Sequence, residues 1–143
     1  MITASRRPRR LSKADYELLG EFRYLIRRFL AFSEDAARRA GLTARQHQAL
    51  LAIKGTPGRR RVSVGELAER LGLRHHSVVG LLDRLASRGL IRRRTSSADR
   101  RQVLIELTSK ADAALETLSR AHRGELKRLA PLLRPLLEQL QSR

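Results

Sequence analysis

Residues 62–108 read Val62-Ser-Val-Gly-Glu-Leu-Ala-Glu-Arg-Leu-Gly-Leu73, then Arg74-His-His-Ser-Val-Val-Gly-Leu-Leu-Asp-Arg-Leu-Ala-Ser-Arg-Gly-Leu-Ile91, then Arg92-Arg-Arg-Thr-Ser-Ser-Ala-Asp-Arg-Arg-Gln-Val-Leu-Ile-Glu-Leu-Thr108. Ser63 and Glu66 have the spacing of a capping box, and Val62 and Leu67 that of a hydrophobic staple. A short helix is therefore predicted to open there and to end at Leu71-Gly72. A second helix is predicted from about Arg74 to Arg88, closed by Gly89. Val78, Leu81, Leu82 and Leu85 step by three, one and three, so they share one inward face. His75, His76, Ser77, Val79, Gly80, Asp83 and Arg84 are left looking outward. Leu90 to Arg94 reads as a strand and Thr95 to Asp99 as a turn. Val103, Ile105 and Leu107 alternate, marking a return strand with one buried face. Capped helix, tight turn, second helix and arginine-tipped hairpin make the order of a winged helix-turn-helix. Its second helix is sized for a major groove, and its hairpin can reach a neighbouring groove or the backbone.

Working outward, the N-terminal side carries two further helices. Ser12 and Asp15 have capping-box-like spacing. Leu18, Phe22, Leu25, Phe29, Phe32 and Ala36 then alternate steps of four and three, a heptad seam that Leu19, Ile26 and Leu30 widen. Gly41 stops this helix. So broad a stripe needs another helical surface, from a partner subunit or from an intrachain core. The next helix opens with a Thr43–Gln46 box and runs to the breaker Gly55-Thr56-Pro57-Gly58. Arg59, Arg60 and Arg61 follow as a charge run leading into the quoted segment. On the C-terminal side, Ser109 and Asp112 cap a helix with an apolar stripe through Leu115, Leu118, Leu126 and Leu129. Pro131 is expected to break it. Leu132, Leu133, Leu136, Leu137 and Leu140 then form a last short helix, with Pro135 in or before its first turn. Residues 1–11 read as a basic, flexible tail, with Arg6, Arg7, Arg9 and Arg10 around Pro8. Its alternatives are a solvated tail and an arm on DNA phosphate.

The 143 residues suffice for one domain with a real core. Aromatic residues are only 3 %, so that core must be built of Leu, Ile, Val and Ala. The formal charge of +17 points to a polyanion: DNA, RNA or an anionic membrane. Membrane is the weakest of these, because no apolar run approaches the ~20 residues of a spanning helix. Arg6-Arg7 does not open a signal peptide, since no apolar segment follows it, and a cytoplasmic location is expected. The absence of cysteine removes disulfides, thiol redox sensing and thiolate zinc sites.

Leu81-Leu-Asp-Arg-Leu-Ala-Ser-Arg-Gly-Leu-Ile91, followed by Asp99-Arg-Arg101 and Val103-Leu-Ile-Glu-Leu-Thr108, resembles the recognition helix and wing of the MarR family of bacterial regulators. Leu42-Thr-Ala-Arg-Gln-His-Gln-Ala-Leu-Leu51 resembles that family's second helix. The resemblance covers nearly the whole chain, from about Tyr16. It implies a mainly α fold with a small β-hairpin wing: one domain over residues 12–143, with dimerisation helices at 12–41 and 109–143 and a winged helix-turn-helix lobe at 42–108. It further implies a homodimer on a pseudo-palindromic operator, a transcriptional regulator of repressor type, and relief of binding by a small organic ligand. Two positions depart from the pattern. Val79-Gly80 stands where members often carry Thr-Arg, so the usual basic side chain on the reading helix is missing. Gly80 is either tolerated drift or a way for the helix to sit closer to DNA. Ala111 replaces a frequent glycine.

The candidate DNA-binding residues fall into two groups. Arg74, His75, His76 and Ser77 lie at the N-terminal end of the reading helix, where side chains touch base edges and free N–H groups favour phosphate. Arg84 is read as a backbone contact. In the wing, Arg101 occupies the place where the family's arginine enters the minor groove, whose narrow A·T-rich form attracts guanidinium. Arg92, Arg93, Arg94 and Arg100 can contact phosphate, although any one could be simply solvated. Asp99 and Asp83 are read as positioning residues that pair with an arginine, since their charge repels phosphate. His47 lies near the family's ligand crevice, and a core or interface histidine is the competing reading. His75 and His76 point about 100° apart on a helix and lack a local carboxylate, so no metal or other cofactor is expected. No phosphate-cradling glycine loop or carboxylate pair indicates an enzyme. The rival to a sequence-specific regulator is an architectural DNA-binding protein with little base readout, which the high charge and Gly80 favour.

Overall fold

A computed structural model describes residues 8–142. The Arg6 and Arg7 part of the expected tail lies outside them, and Pro8 to Leu11 are exposed and irregular. The elements are α1 (Lys13–Arg39), α2 (Ala44–Lys54), β1 (Val62–Ser63), α3 (Val64–Leu71), α4 (His75–Ser87), β2 (Ile91–Thr95), β3 (Val103–Leu107) and α5 (Ser109–Gln141). By contact they form two compact units. One comprises residues up to Ala31 and from Glu125; the other runs from Phe32 to Gly124. The boundaries fall inside α1 and α5, so residues 32–39 and 109–124 of the long helices belong with the winged helix-turn-helix.

The helix ends follow local chemistry. The Ser12 backbone N–H donates to Asp15 Oδ2 at 2.7 Å, and the Asp15 N–H returns a bond to Ser12 Oγ at 3.3 Å, opening α1. Full capping boxes open α2 at Thr43 and α3 at Ser63. Val62 and Leu67 are both buried, as the staple requires. Gly41, at φ +76°, ends α1 and lets the Leu42 N–H bond back to the Ala37 carbonyl at 2.9 Å. Arg74 occupies the N-cap of α4 rather than its first turn and makes no side-chain capping bond.

The core of the larger unit gathers one face of every element. Ala49, Leu50 and Ile53 of α2 meet Leu67 of α3 and Val78, Leu81, Leu82 and Leu85 of α4. Ile91 and Ile105 close it from the sheet, and Ala111, Leu115 and Leu118 from α5. Burying a Leu or Ile side chain is worth about 1.5–3 kcal/mol, and this face supplies most of the unit's stability. In the smaller unit, Leu18, Leu25 and Leu129 are buried. Phe22 and Phe29, the other seam positions there, are half-buried.

Three expectations are corrected. The sheet has three antiparallel strands in the order β1-β3-β2, not two: Val62 lies opposite Ile105 and Ser63 opposite Leu104. Val103 is exposed, because it sits at the wing end of β3, beyond the reach of the core; among the alternating residues Ile105 alone is fully buried. The chain does not break at Pro131: α5 is one helix with Pro131 and Pro135 inside it. The two prolines are one turn apart and both exposed, so the carbonyls they leave unbonded face water. Leu129, on the opposite side of that stretch, is buried and holds the helix on course. No helix among the described residues is long and apolar enough to cross a membrane.

Candidate nucleic-acid interface

The inward residues of α4 fix what its other face presents. With Val78, Leu81, Leu82 and Leu85 buried, the angular step of 100° per residue puts His76, Gly80 and Asp83 at the outward apex. Ser77 and Arg84 stand on one flank, His75 and Val79 on the other. His75, His76, Asp83 and Arg84 are exposed; Ser77, Val79 and Gly80 are half-buried. Ser77 and Arg84, with Leu73 and Leu81, also line an open cleft of about 380 Å³ against Thr43, Ala44, Arg45 and Gln46 at the start of α2.

Strand alternation sorts the wing arginines. Arg93 lies opposite Ile105, on the face turned toward α4, and its Nη2 donates to Asp83 Oδ1. Arg92 and Arg94 are on the other face, opposite Glu106 and Leu104. There the Glu106 carboxylate accepts from Arg61 Nε at 2.8 Å and from Arg94 Nε. These two hydrogen bonds, Arg61's the larger influence, hold the Glu106 carboxyl below its ordinary pKa. The same happens to Glu66, chiefly through its bond from Arg59. Arg59 and Arg61 of the charge run are therefore ion-paired, not simply solvated.

The tip is ordered by its own side chains. Ser96 is buried, and its Oγ accepts from the Ala98 and Asp99 N–H groups at 3.3 and 3.4 Å. Asp99 Oδ1 accepts the Arg101 backbone N–H at 3.0 Å and lies 3.6 Å from the Arg101 guanidinium. The Arg101 side chain is 96 % exposed, so this contact directs it without hiding it. Arg74, Arg84, Arg92 and Arg100 make no ion pair among the described residues and remain open to an external anion.

Sequence reasoning assigned no role to Arg88 or His122, and both hold the scaffold together. Arg88 Nη1 donates to the Gly41 carbonyl at 2.7 Å and to Gln46 Oε1 at 3.1 Å, tying the end of α4 to the α1–α2 turn. The His122 ring stacks on His47 with centroids 4.7 Å apart. One of its nitrogens is 2.7 Å from Ser33 Oγ and the other 2.6 Å from the Leu118 carbonyl. His47 is buried, and its pKa is lowered by that burial first and by His122 second. It is a core histidine in the structure. Among the described residues no three His, Asp or Glu side chains gather to hold a metal.

Residues 40–102 match the model of the MarR family. Two relatives from Bacillus subtilis match part of the chain. The uncharacterized HTH-type transcriptional regulator YfiV is 36 % identical over 74 residues, 52 % of this chain and 46 % of its own. The HTH-type transcriptional repressor YetL is 40 % identical over 62 residues, 43 % of this chain and 37 % of its own. The matches thus span less than half the length of either relative. Among solved structures, a mutant MarR from E. coli complexed with operator DNA superimposes with a TM-score of 0.64 at 22 % identity, covering 92 % of this chain and 99 % of that one. At that identity the likeness shows the fold. Residues 40–102, which hold the winged helix-turn-helix, are thus similar to the MarR family.

Proposed function

We propose that the chain is a sequence-specific DNA-binding transcriptional regulator, a repressor that acts as a homodimer on a pseudo-palindromic operator and is released by a small organic ligand. The observation that carries this reading is the pairing of two exposed elements on one rigid core. The outward face of α4 carries His75, His76, Ser77 and Arg84, and the wing tip carries Arg100 and an Arg101 steered by Asp99. Arg101 enters the minor groove, while Arg74, Arg92 and Arg100 neutralise phosphate. Arg93 and Arg94 contribute charge from within ion pairs, and Asp83 and Asp99 orient their arginines. The relatives support the reading: YetL is named a repressor, and the E. coli MarR structure holds operator DNA. The dimer is supported by apolar side chains left exposed on α1 and α5, among them Leu19, Ile26, Leu30, Leu132 and Leu137.

Selection of binding sites from a random duplex library at physiological salt tests the function. The expected outcome is a pseudo-palindrome whose half-sites lie about one helical turn, ~10 bp, apart. Recovery of no motif would replace this reading with that of an architectural protein coating DNA.

A further inference from the structure

We propose that Arg84 reads a guanine across the notch that Gly80 leaves at the apex of α4. This rests on the DNA-reading function above and names its specificity residue; the sequence alone pointed to a phosphate contact. A helical side chain leans toward the N-terminus and covers the surface one turn before it. Arg84 does so here: its Nη2 lies 4.0 Å from the position a Gly80 Cβ would take. The guanidinium therefore leans over the apex from its flank, where the family's usual basic side chain is missing.

Two neighbouring arginines are committed elsewhere, and Arg74, also open, stands at the N-cap of α4 rather than beside Gly80. Arg88 is bound to Gly41 and Gln46, and Arg93 to Asp83. Arg84 makes no ion pair or side-chain hydrogen bond among the described residues. Leu81 and Leu85, both buried, hold its stretch of helix against the core. The guanidinium offers a fork of parallel N–H donors. In the major groove guanine presents two acceptors, O6 and N7, whereas adenine pairs one acceptor with a donor. A methyl at position 80 would make only ordinary contact with Arg84. A longer side chain would occupy the space through which the fork reaches the base.

The test repeats the selection with wild type, Arg84→Ala, Arg84→Lys and Gly80→Leu, after circular dichroism has established that each is folded. The wild-type motif should contain a guanine in each half-site that Arg84→Ala and Gly80→Leu cease to prefer and Arg84→Lys prefers less strongly, the rest of the motif persisting. Replacing that guanine by 7-deazaguanine, which lacks the N7 acceptor, should weaken wild type by roughly ten- to a hundredfold and leave Arg84→Ala nearly unchanged. Arg84→Lys should keep its affinity for random DNA, since charge is retained and only the fork is lost. A wild-type motif that survives Arg84→Ala intact, with all sequences weakened alike, would overturn the assignment and make Arg84 a phosphate clamp. No motif from wild type would instead overturn the sequence-reading function on which it rests.

Discussion

His47 shows how one buried side chain links pH to stability. Its ring is packed in the core against His122, and the folded state resists protonating it. The unfolded chain accepts that proton near the ordinary imidazole value of ~6.5. Below that pH the unfolded state binds more protons, so stability is full above ~6.5 and falls as pH drops through the folded pKa. The melting temperature should decline between pH 7.5 and 5.5, and His47→Leu should flatten the decline; an unchanged slope would remove His47 as its source. Glu66 and Glu106, held low by arginines, lose their contributions only at more acid pH. The wing tip offers a prediction of opposite signs. Asp99→Ala removes a negative charge near DNA, which should raise affinity for random duplex. It also removes the Arg101 N–H bond at the turn, so affinity for the selected motif should fall. Arg101→Ala should cost ~1–3 kcal/mol on the motif and less on random DNA, because part of its energy depends on groove width. Equal losses on both in duplex titrations would reduce Arg101 to a phosphate contact.

At the scale of the element, α4 carries a glycine its backbone does not need. The space beside Gly80 accepts a Cβ, with Arg84 Nη2 the nearest atom at 4.0 Å. Gly80→Ala should therefore stabilise the protein by ~1 kcal/mol in thermal unfolding while leaving the selected motif intact. Destabilisation would mean that the helix there is distorted. The elements were legible in the sequence where local chemistry decides them. The boxes at Thr43–Gln46 and Ser63–Glu66 and the inward face of α4 required only neighbours within two turns. What was not legible depends on partners far along the chain. β1 is two residues long and exists only through Leu104 and Ile105. His122 gains its place from Ser33 and His47, and Glu106 joins Arg61 to Arg94 across two strand pairings. Pro131 misled because its effect turns on which side of α5 faces water. Among the site residues, the outward set of α4 followed from periodicity and the pairing of Asp83 with an arginine was expected, whereas the commitment of Arg94 to Glu106 was not.

For the whole molecule, the unsatisfied surface is the apolar face of α1 and α5. Leu19, Ile26, Leu30, Leu126, Leu132, Leu137 and Leu140 are each between 41 and 54 % exposed in the single chain, more than a soluble monomer ordinarily leaves in one region. Solution mass should be about twice 16.3 kDa, and removal of Leu132 to Arg143 should cause dissociation or aggregation. A well-behaved monomer at micromolar concentration would contradict the dimer. If α4 and the wing read sequence, the charge of +17 serves that reading rather than replacing it. The most direct measurement of sequence reading is the ratio of affinities for the selected duplex and a scrambled duplex of equal length, titrated at physiological salt. The expected ratio is at least ~10³. A ratio near one, with both affinities falling steeply and in parallel as salt rises, would contradict sequence reading.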